Sequence, residues 1–138
     1  MGSFSLFCRS CLKFKRKVLY LSREKVIYTL KMNLEYSRGI LFVRLEGKLI
    51  RGTSYKINNY LIPVLLKHKI KYLVYNFYNL KDIDESGIDA LLNTKTAIKS
   101  NKGIIYLCEV NKMLNKKIHK LKIKRTASEL SAFEVIEV

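Results

Sequence analysis

Two short apolar runs separated by one helical segment limit what this chain can fold into. Residues 71–77 (KYLVYNF) and 104–110 (IIYLCEV) are rich in β-branched and aromatic residues, as buried strands are. Between them, apolar residues recur at helical spacing at Ile88, Leu91, Leu92 and Ile98. Strand, helix and strand in this length form a βαβ unit, with parallel strands and a right-handed crossover. The sequence therefore predicts an α/β fold.

Shorter elements are expected on both sides of this unit. Before it we predict strands at 33–36 and 40–46, then a helix capped by Thr53 or Ser54 that runs to about Lys69 and contains Pro63. After it we predict a helix over 111–121 capped by Asn111, a strand over 122–127 and a terminal helix capped by Ser128. The side chains expected to face inward are Ile57, Tyr60, Leu61, Val64 and Leu65 in the first helix and Met113, Leu114, Ile118 and Leu121 in the third.

Length and charge predict one domain with a basic extension. The chain has 138 residues, enough for one core, and no apolar run reaches the roughly 18 residues of a membrane span, so a soluble protein is expected. Residues 1–31 form the extension and 32–138 the domain; the extension carries eight Lys and Arg against one acid. It could be an amphipathic arm on a membrane or partner, a disordered tail, or sequence upstream of a natural start at Met32. The last two interpretations are favoured.

The three cysteines indicate a reducing, cytoplasmic setting. Cys8, Cys11 and Cys108 are an odd number without a disulfide framework. Cys8 and Cys11 form one C-x-x-C, but no second pair follows to complete a zinc site, and Cys108 lies in an apolar strand pattern. No metal and no cofactor are expected.

The candidate site is the polar stretch that follows the first apolar run and opens the helix. Asp84, Glu85 and Ser86 all carry oxygen atoms that could cap the helix N-terminus, where several backbone N–H groups lack partners. The simplest interpretation is that these residues only cap the helix. The alternative is that the turn recognises a partner.

No catalytic group of residues is visible, so an enzyme is not expected. His68 and His119 lie in lysine-rich surroundings without a cysteine or carboxylate at ligand spacing, and no phosphate-binding glycine motif is present. The formal charge of +16 instead favours an anionic partner or a solubilising lysine-rich surface. The alternative function is non-specific nucleic-acid binding around the Lys-rich third helix, through Lys112, Lys116, Lys117, Lys120, Lys122, Lys124 and Arg125.

The order of elements from about Met32 to Phe133 resembles the STAS domain of bacterial anti-sigma factor antagonists. The residues that carry the resemblance are FVRLEGKLIRGTSYKINN and YLVYNFYNLKDIDESGIDALL, and within the second the spacing Asn76…Leu80…Ile83-Asp84-x-x-Gly87. The resemblance implies a single domain with a mixed, mostly parallel sheet of four to five strands and helices packed against it.

The resemblance also implies a regulatory, non-enzymatic function. Such proteins bind a kinase-type anti-sigma factor and thereby release a sigma factor; the residues at the corresponding positions here are Asp84, Glu85, Ser86, Gly87 and Ile88. In the family the first Ser after the Asp is phosphorylated by that partner, which ends binding. That position is Glu85 here, and Ser86 stands at the second Ser/Thr position. Either Glu85 mimics the phosphorylated state, or a different partner is bound without switching, or the acceptor has moved to Ser86.

Overall fold

A five-stranded sheet in the order β1-β2-β3-β4-β5 organises the residues that the computed structural model describes, 29–136. The strands are β1 (Leu30–Ser37), β2 (Ile40–Leu49), β3 (Tyr72–Ile83), β4 (Ile104–Cys108) and β5 (Lys124–Thr126). β1 pairs with β2 in antiparallel orientation, whereas β2, β3, β4 and β5 are parallel. The predicted α/β fold with a mixed, mostly parallel sheet is confirmed.

Helices cover the two faces of this sheet unequally. A π-helical turn (Ile57–Leu61) leads into α1 (Ile62–Lys67), and α2 (Glu85–Ser100), α3 (Lys112–Ile118) and α4 (Glu129–Val135) follow. The π-helical turn and helices α1, α2 and α3 contribute to the larger core on one face, with Leu65, Leu91 and Leu114 fully buried. Among the helices of residues 29–136, α4 alone packs on the other face, where Ala132 joins a smaller cluster around Phe42 and Tyr106.

β3 is longer than predicted, and the difference lies at the candidate site. The stretch 79–83 was expected to be a polar turn, but it continues β3 as far as Ile83. β2 also extends beyond its predicted end to Leu49 and pairs with this part of β3, through two register shifts. Pairing supplies the backbone hydrogen bonds that a polar sequence would otherwise take from water. Only Asp84 remains between strand and helix.

Two helices differ from prediction in length and in the faces they bury. The first helical stretch changes from π-helical to α-helical next to Pro63, which lacks the N–H needed inside a continuous helix. Tyr60 there is 46% exposed and Val64 only partly buried, while Ile57, Leu61 and Leu65 are buried as expected. In α3, Met113 is exposed and not inward, and the helix ends at Ile118, three residues early.

Two of the predicted caps, Asn111 and Ser128, and the buried environment of Cys108 are confirmed. Asn111 accepts a hydrogen bond from the Leu114 N–H at 2.8 Å, and Ser128 accepts one from Ser131 at 3.2 Å. Cys108 is a free thiol inside β4, and burial raises its pKa to about 12, which keeps it protonated and unreactive. The predictions about Cys8 and Cys11 fall outside the described residues.

The sheet begins before Met32. Leu30 is fully buried in the larger core and pairs with Gly47, while its carbonyl accepts a hydrogen bond from Lys56 Nζ at 2.6 Å. The Thr29 carbonyl accepts another from the Lys48 N–H at 3.0 Å. A chain starting at Met32 would lack these contacts, so a natural start at Met32 stays a prediction, and one that would cost stability. Residues 1–28 of the basic extension lie outside the described part of the chain.

Replacing Leu30 with Ala tests this cost. Because Leu30 has no exposed surface, Leu30→Ala is expected to lower the free energy of unfolding by about 3 kcal/mol. Leu130→Ala is the matched control, since Leu130 is 77% exposed and should change stability by less than about 0.5 kcal/mol. Urea titration followed by circular dichroism measures both. Equal effects would show that Leu30 is not part of the core.

An arginine network attaches α4 to the sheet. Arg44 in β2 donates to both carboxylate oxygens of Glu129, at 2.8 and 2.6 Å, and also to Glu35 at 2.8 Å. Asn76 in β3 donates to the same Glu129 carboxylate at 2.7 Å. The hydrogen bond from Arg44 lowers the pKa of Glu129, and desolvation opposes that shift. Glu129 therefore favours the folded state in its ionised form.

This network predicts how stability depends on acid. The lowered pKa means that the contribution of Glu129 is present above the ordinary carboxyl pKa of about 4.3 and is lost as pH falls through the lowered value. Glu129→Gln should therefore flatten the loss of stability on acidification. Glu134→Gln, an exposed change in the same helix, should leave the acid profile unchanged. The measurement is thermal unfolding from neutral to acidic pH. The prediction would be contradicted if the melting temperature of both variants fell with pH as steeply as that of the parental protein.

Candidate functional site

Asp84 forms the junction between β3 and α2 at the carboxyl edge of the parallel strands. Its backbone is extended, and its Oδ1 accepts a hydrogen bond from the Gly87 N–H at 3.0 Å. This bond satisfies one of the N–H groups that the helix N-terminus leaves unpaired. Of the three residues that could have capped the helix, Asp84 is the cap.

The same residue also holds the loop that follows β2. Asp84 Oδ2 accepts a hydrogen bond from the Arg51 N–H at 2.9 Å, and the Asp84 N–H donates to the Leu49 carbonyl at 3.2 Å. One carboxylate therefore joins the end of β3, the start of α2 and the loop after β2. Both oxygens and the backbone N–H are engaged in fixing this geometry.

Gly87 allows the first turn of α2 to pack closely on β2. A Cβ added to Gly87 would lie 2.3 Å from the Leu49 carbonyl oxygen and 2.7 Å from a side-chain carbon of Ile83. Since the nearest atom belongs to the backbone, no side chain could rotate to relieve that contact. Gly87 is buried and sets the position of the helix; it presents no side chain to a partner.

Thr53 stiffens the loop that Asp84 holds. Its Oγ1 donates to the Lys48 carbonyl at 2.6 Å and accepts from the Ile50 N–H at 3.0 Å. The expectation that Thr53 or Ser54 caps the next helix is wrong, because the π-helical turn has no side-chain cap. The Thr53 hydroxyl is instead committed to the end of β2.

The predicted site residues differ in what they offer to a partner. Glu85 is exposed at the first position of α2, while Asp84, Ser86 and Ile88 are partly exposed. The Ser86 hydroxyl has no hydrogen-bond partner among residues 29–136. The accessible chemistry of the turn is therefore one free carboxylate beside one unengaged hydroxyl.

Acidic residues are concentrated around this turn in an otherwise basic chain. Asp82, Asp84, Glu85 and Asp89 are four of the eleven acids in the sequence. Asp82 forms an ion pair with Lys117 of α3, and the hydrogen bond from Lys117 lowers the pKa of the Asp82 carboxyl. The helix dipole and the unpaired N–H groups favour negative charge at this end of α2.

The residues of the alternative, nucleic-acid interface are exposed, and two of them have partners. Lys117 pairs with Asp82, and Arg125 donates a hydrogen bond to Asn115. The remaining predicted contacts on or near α3 are exposed: Lys112, Lys116, Lys120, Lys122 and Lys124. His68 and His119 are exposed as well. The basic residues and the candidate turn are therefore neighbours, joined through Lys117.

Sequence reasoning missed three contributors to the site. Lys117 was assigned to a separate basic surface, and nothing in its sequence neighbourhood indicated Asp82 as its partner. The Arg51 N–H and the Leu49 carbonyl act through the backbone, which no side-chain pattern reports. The polar, glycine-containing segment 50–54 was the only signal that a loop would lie there.

Neither a metal site nor a membrane span is evident where the structure is described. Over residues 29–136, no three His, Cys, Asp or Glu side chains come together in a way that could hold a metal ion. Within that range no helix has the length and apolar character needed to cross a membrane.

Comparison with known proteins identifies the family. The STAS domain model matches residues 31–132, which is most of the chain. The chain belongs to the STAS domain family. This STAS domain is 29% identical over 82 residues to the anti-sigma F factor antagonist of Paenibacillus polymyxa, which covers 59% of this chain and 70% of that protein.

Solved structures show the same fold. The anti-sigma factor antagonist SpoIIAA in its unphosphorylated form has a TM-score of 0.64 at 20% identity, covering 76% of this chain and 96% of SpoIIAA. The Bacillus cell fate determinant SpoIIAA in its phosphorylated form also has a TM-score of 0.64 at 20% identity, covering 78% of this chain and 100% of that chain. The STAS domain described here is thus similar in sequence and fold to anti-sigma factor antagonists.

Removing the Asp84 carboxylate tests its place in the site. Asp84→Ala loses the cap and the bond to Arg51, so it should lower the free energy of unfolding by about 2 kcal/mol. Glu85→Ala, at the next position, removes only a favourable charge near the helix end and should cost about 0.5 kcal/mol. Chemical denaturation compares the two. A larger loss for Glu85→Ala would contradict the assignment of Asp84 as the cap.

Proposed function

We propose that this STAS domain is a cytoplasmic, non-enzymatic regulator that binds a kinase-type anti-sigma factor through the start of α2. The contact residues are Asp84, Glu85, Ser86 and Ile88, with Gly87 setting their position. The observation that supports this proposal best is the fixed geometry of the turn. The Asp84 carboxylate accepts two hydrogen bonds and its N–H donates a third, which holds the exposed Glu85 and the unengaged Ser86 at the edge of the domain.

A preorganised turn suits recognition by a protein partner. Because Asp84 ties the turn to β2 and Gly87 packs α2 against Leu49, little conformational freedom remains to be lost on binding. Exposed side chains on α2 extend the surface beyond the turn, with Asp89 one helical turn after Glu85 and Leu92 40% exposed after that. The partner surface should therefore be basic, with an apolar contact for Leu92.

Ser86 is the proposed phosphate acceptor. Glu85 cannot accept phosphate. Its carboxylate carries one negative charge on two oxygens, whereas a phosphoserine carries a charge of about −1.5 to −2 on three oxygens, so Glu85 mimics phosphoserine only in part. The Ser86 hydroxyl is partly exposed and free of intramolecular partners among the described residues, so transfer would break no bond of the fold. Phosphate at this position would lie next to Glu85 and one helical turn before Asp89, and the added charge would disrupt an interface built for the unmodified turn.

Binding and modification can be tested with the kinase-type proteins of the source organism. After incubation with such a kinase and ATP, mass spectrometry is expected to find phosphate on Ser86 and none in Ser86→Ala. Ser86→Asp should weaken binding of the partner at least tenfold. Ser100→Asp, the same change at the opposite end of α2, should bind as the parental protein does.

The two parts of this proposal fail separately. Binding without phosphate anywhere would remove Ser86 as acceptor and leave a partner that is bound without switching. Absence of binding to every kinase-type protein of the organism would overturn the function itself.

The alternative of nucleic-acid binding through α3 is not proposed. Of its predicted contacts, Lys117 is paired with Asp82 and Arg125 with Asn115. The rest are exposed lysines, which suit phosphate contact without sequence choice, as non-specific binding requires. No feature of the described residues favours this function over partner binding at the turn.

A further inference from the structure

The parallel topology gathers three helix-to-strand loops at the edge of the sheet opposite the candidate site. α1, α2 and α3 all end there, and residues 68–71, 101–103 and 119–123 lead into β3, β4 and β5. We call this the amino edge. It lies one length of α2 from Asp84, about 24 Å for 16 residues.

The three loops of the amino edge carry lysines and no acids, whereas α4, which packs on Ile40 at the start of β2, carries the exposed Glu134 in its last turn. Neither the three loops nor the last turns of α1 and α2 contain an Asp or Glu. The amino-edge cluster consists of seven exposed lysines: Lys67, Lys69, Lys71, Lys99, Lys102, Lys120 and Lys122. Within residues 29–136, none of these seven forms an ion pair. These three loops are therefore basic, whereas acids are concentrated around Asp84.

Stabilisation of helix ends explains only part of the cluster. Cations in the last turn favour a helix through its dipole, and Lys67 and Lys99 occupy such positions. The other five lysines lie in the loops beyond the helices, where the dipole effect fades. Five unpaired loop lysines on one edge indicate an external anionic partner.

The loops that carry these lysines are fixed to one another. The Asn101 side-chain amide donates to the carbonyls of Leu65 and Ile70, at 3.0 and 2.8 Å, and the Ile104 N–H donates to the Lys71 carbonyl at 2.8 Å. Lys95 Nζ likewise reaches the Lys122 carbonyl at 2.7 Å and so connects α2 to the third loop. The cluster is thus a preformed surface.

Two exposed aliphatic side chains lie among the lysines. Leu66 in the last turn of α1 is 48% exposed, and Ile104 at the start of β4 is 39% exposed. Apolar side chains surrounded by lysines suit the interface of an anionic bilayer, where the chains enter the headgroup region and the lysines meet lipid phosphates. Nucleic acid offers no comparable site for them, and the Asn101 amide is engaged within the fold.

We propose that the amino edge docks this STAS domain on an anionic membrane surface. The lysine cluster supplies the electrostatic attraction, and Leu66 and Ile104 contact the lipid. In this orientation the acidic turn at Asp84 faces away from the bilayer and stays open to a protein partner. The docking surface is separate from the proposed partner site, so either can fail without the other.

Tryptophan fluorescence in the full chain tests the orientation, because the sequence contains no Trp. The fluorescence emission of the Leu66→Trp variant is expected to shift to shorter wavelength when vesicles of phosphatidylcholine and phosphatidylserine are added. Vesicles of phosphatidylcholine alone should cause no shift. Tyr78→Trp is the control, since Tyr78 is 72% exposed in the part of β3 beyond its pairing with β4. It should show no shift with either vesicle. A shift in both variants or in neither overturns the proposal.

Matched charge variants test the lysine cluster. Lys69→Gln, Lys71→Gln and Lys102→Gln are combined in one variant, and Lys31→Gln, Lys81→Gln and Lys112→Gln, all remote from the amino edge, in another with the same net charge. Vesicle co-sedimentation at physiological salt should show binding at least tenfold weaker for the first and nearly parental for the second. Equal weakening would show only a general charge effect and would contradict docking by the amino edge. Loss of double-stranded DNA binding in the first variant, without vesicle binding by the parental chain, would assign the cluster to nucleic acid instead.

Discussion

The structure of the site depends on one carboxylate. Asp84 caps α2 through Gly87, accepts from Arg51 in the loop after β2, and pairs its own N–H with Leu49. Without these bonds, the helix N-terminus and the loop would each have unpaired backbone groups close to the core. Their combined effect is to make the turn a rigid part of the domain, so that Glu85 and Ser86 are held in one place relative to the sheet.

The long pairing of β2 with β3 brings Asp84 within reach of its partners. Because β3 continues to Ile83 opposite Leu49, the two strands end together and the loop after β2 lies beside the start of α2. Gly87 then permits an approach that any side chain would block. The proposed recognition surface therefore rests on backbone geometry at two segments far apart in sequence, 49–51 and 83–87, and its chemistry rests on the few residues left exposed.

Sequence reasoning was most successful where a local pattern is tied to a local structure. Asn111 and Ser128 cap their helices as expected, since the capping interaction spans only three residues. It failed where neighbours in space decide the outcome. Residues 79–83 form strand because β2 pairs with them, and Met113 is exposed although its spacing suggested an inward position. The ion pair between Asp82 and Lys117 and the network around Arg44 join residues too distant in sequence for any periodic signal.

By itself, the sequence determined the α/β class, the order of the main elements and the position of the turn, because apolar periodicity and capping residues act over a few positions. It also indicated the family through residues 31–132. Only the tertiary structure decided that Asp84 is the cap, that Leu30 belongs to the core and that seven lysines from three loops and two helix ends share one edge. These outcomes depend on which segments the parallel sheet places side by side, and that placement is set by packing between distant parts of the chain.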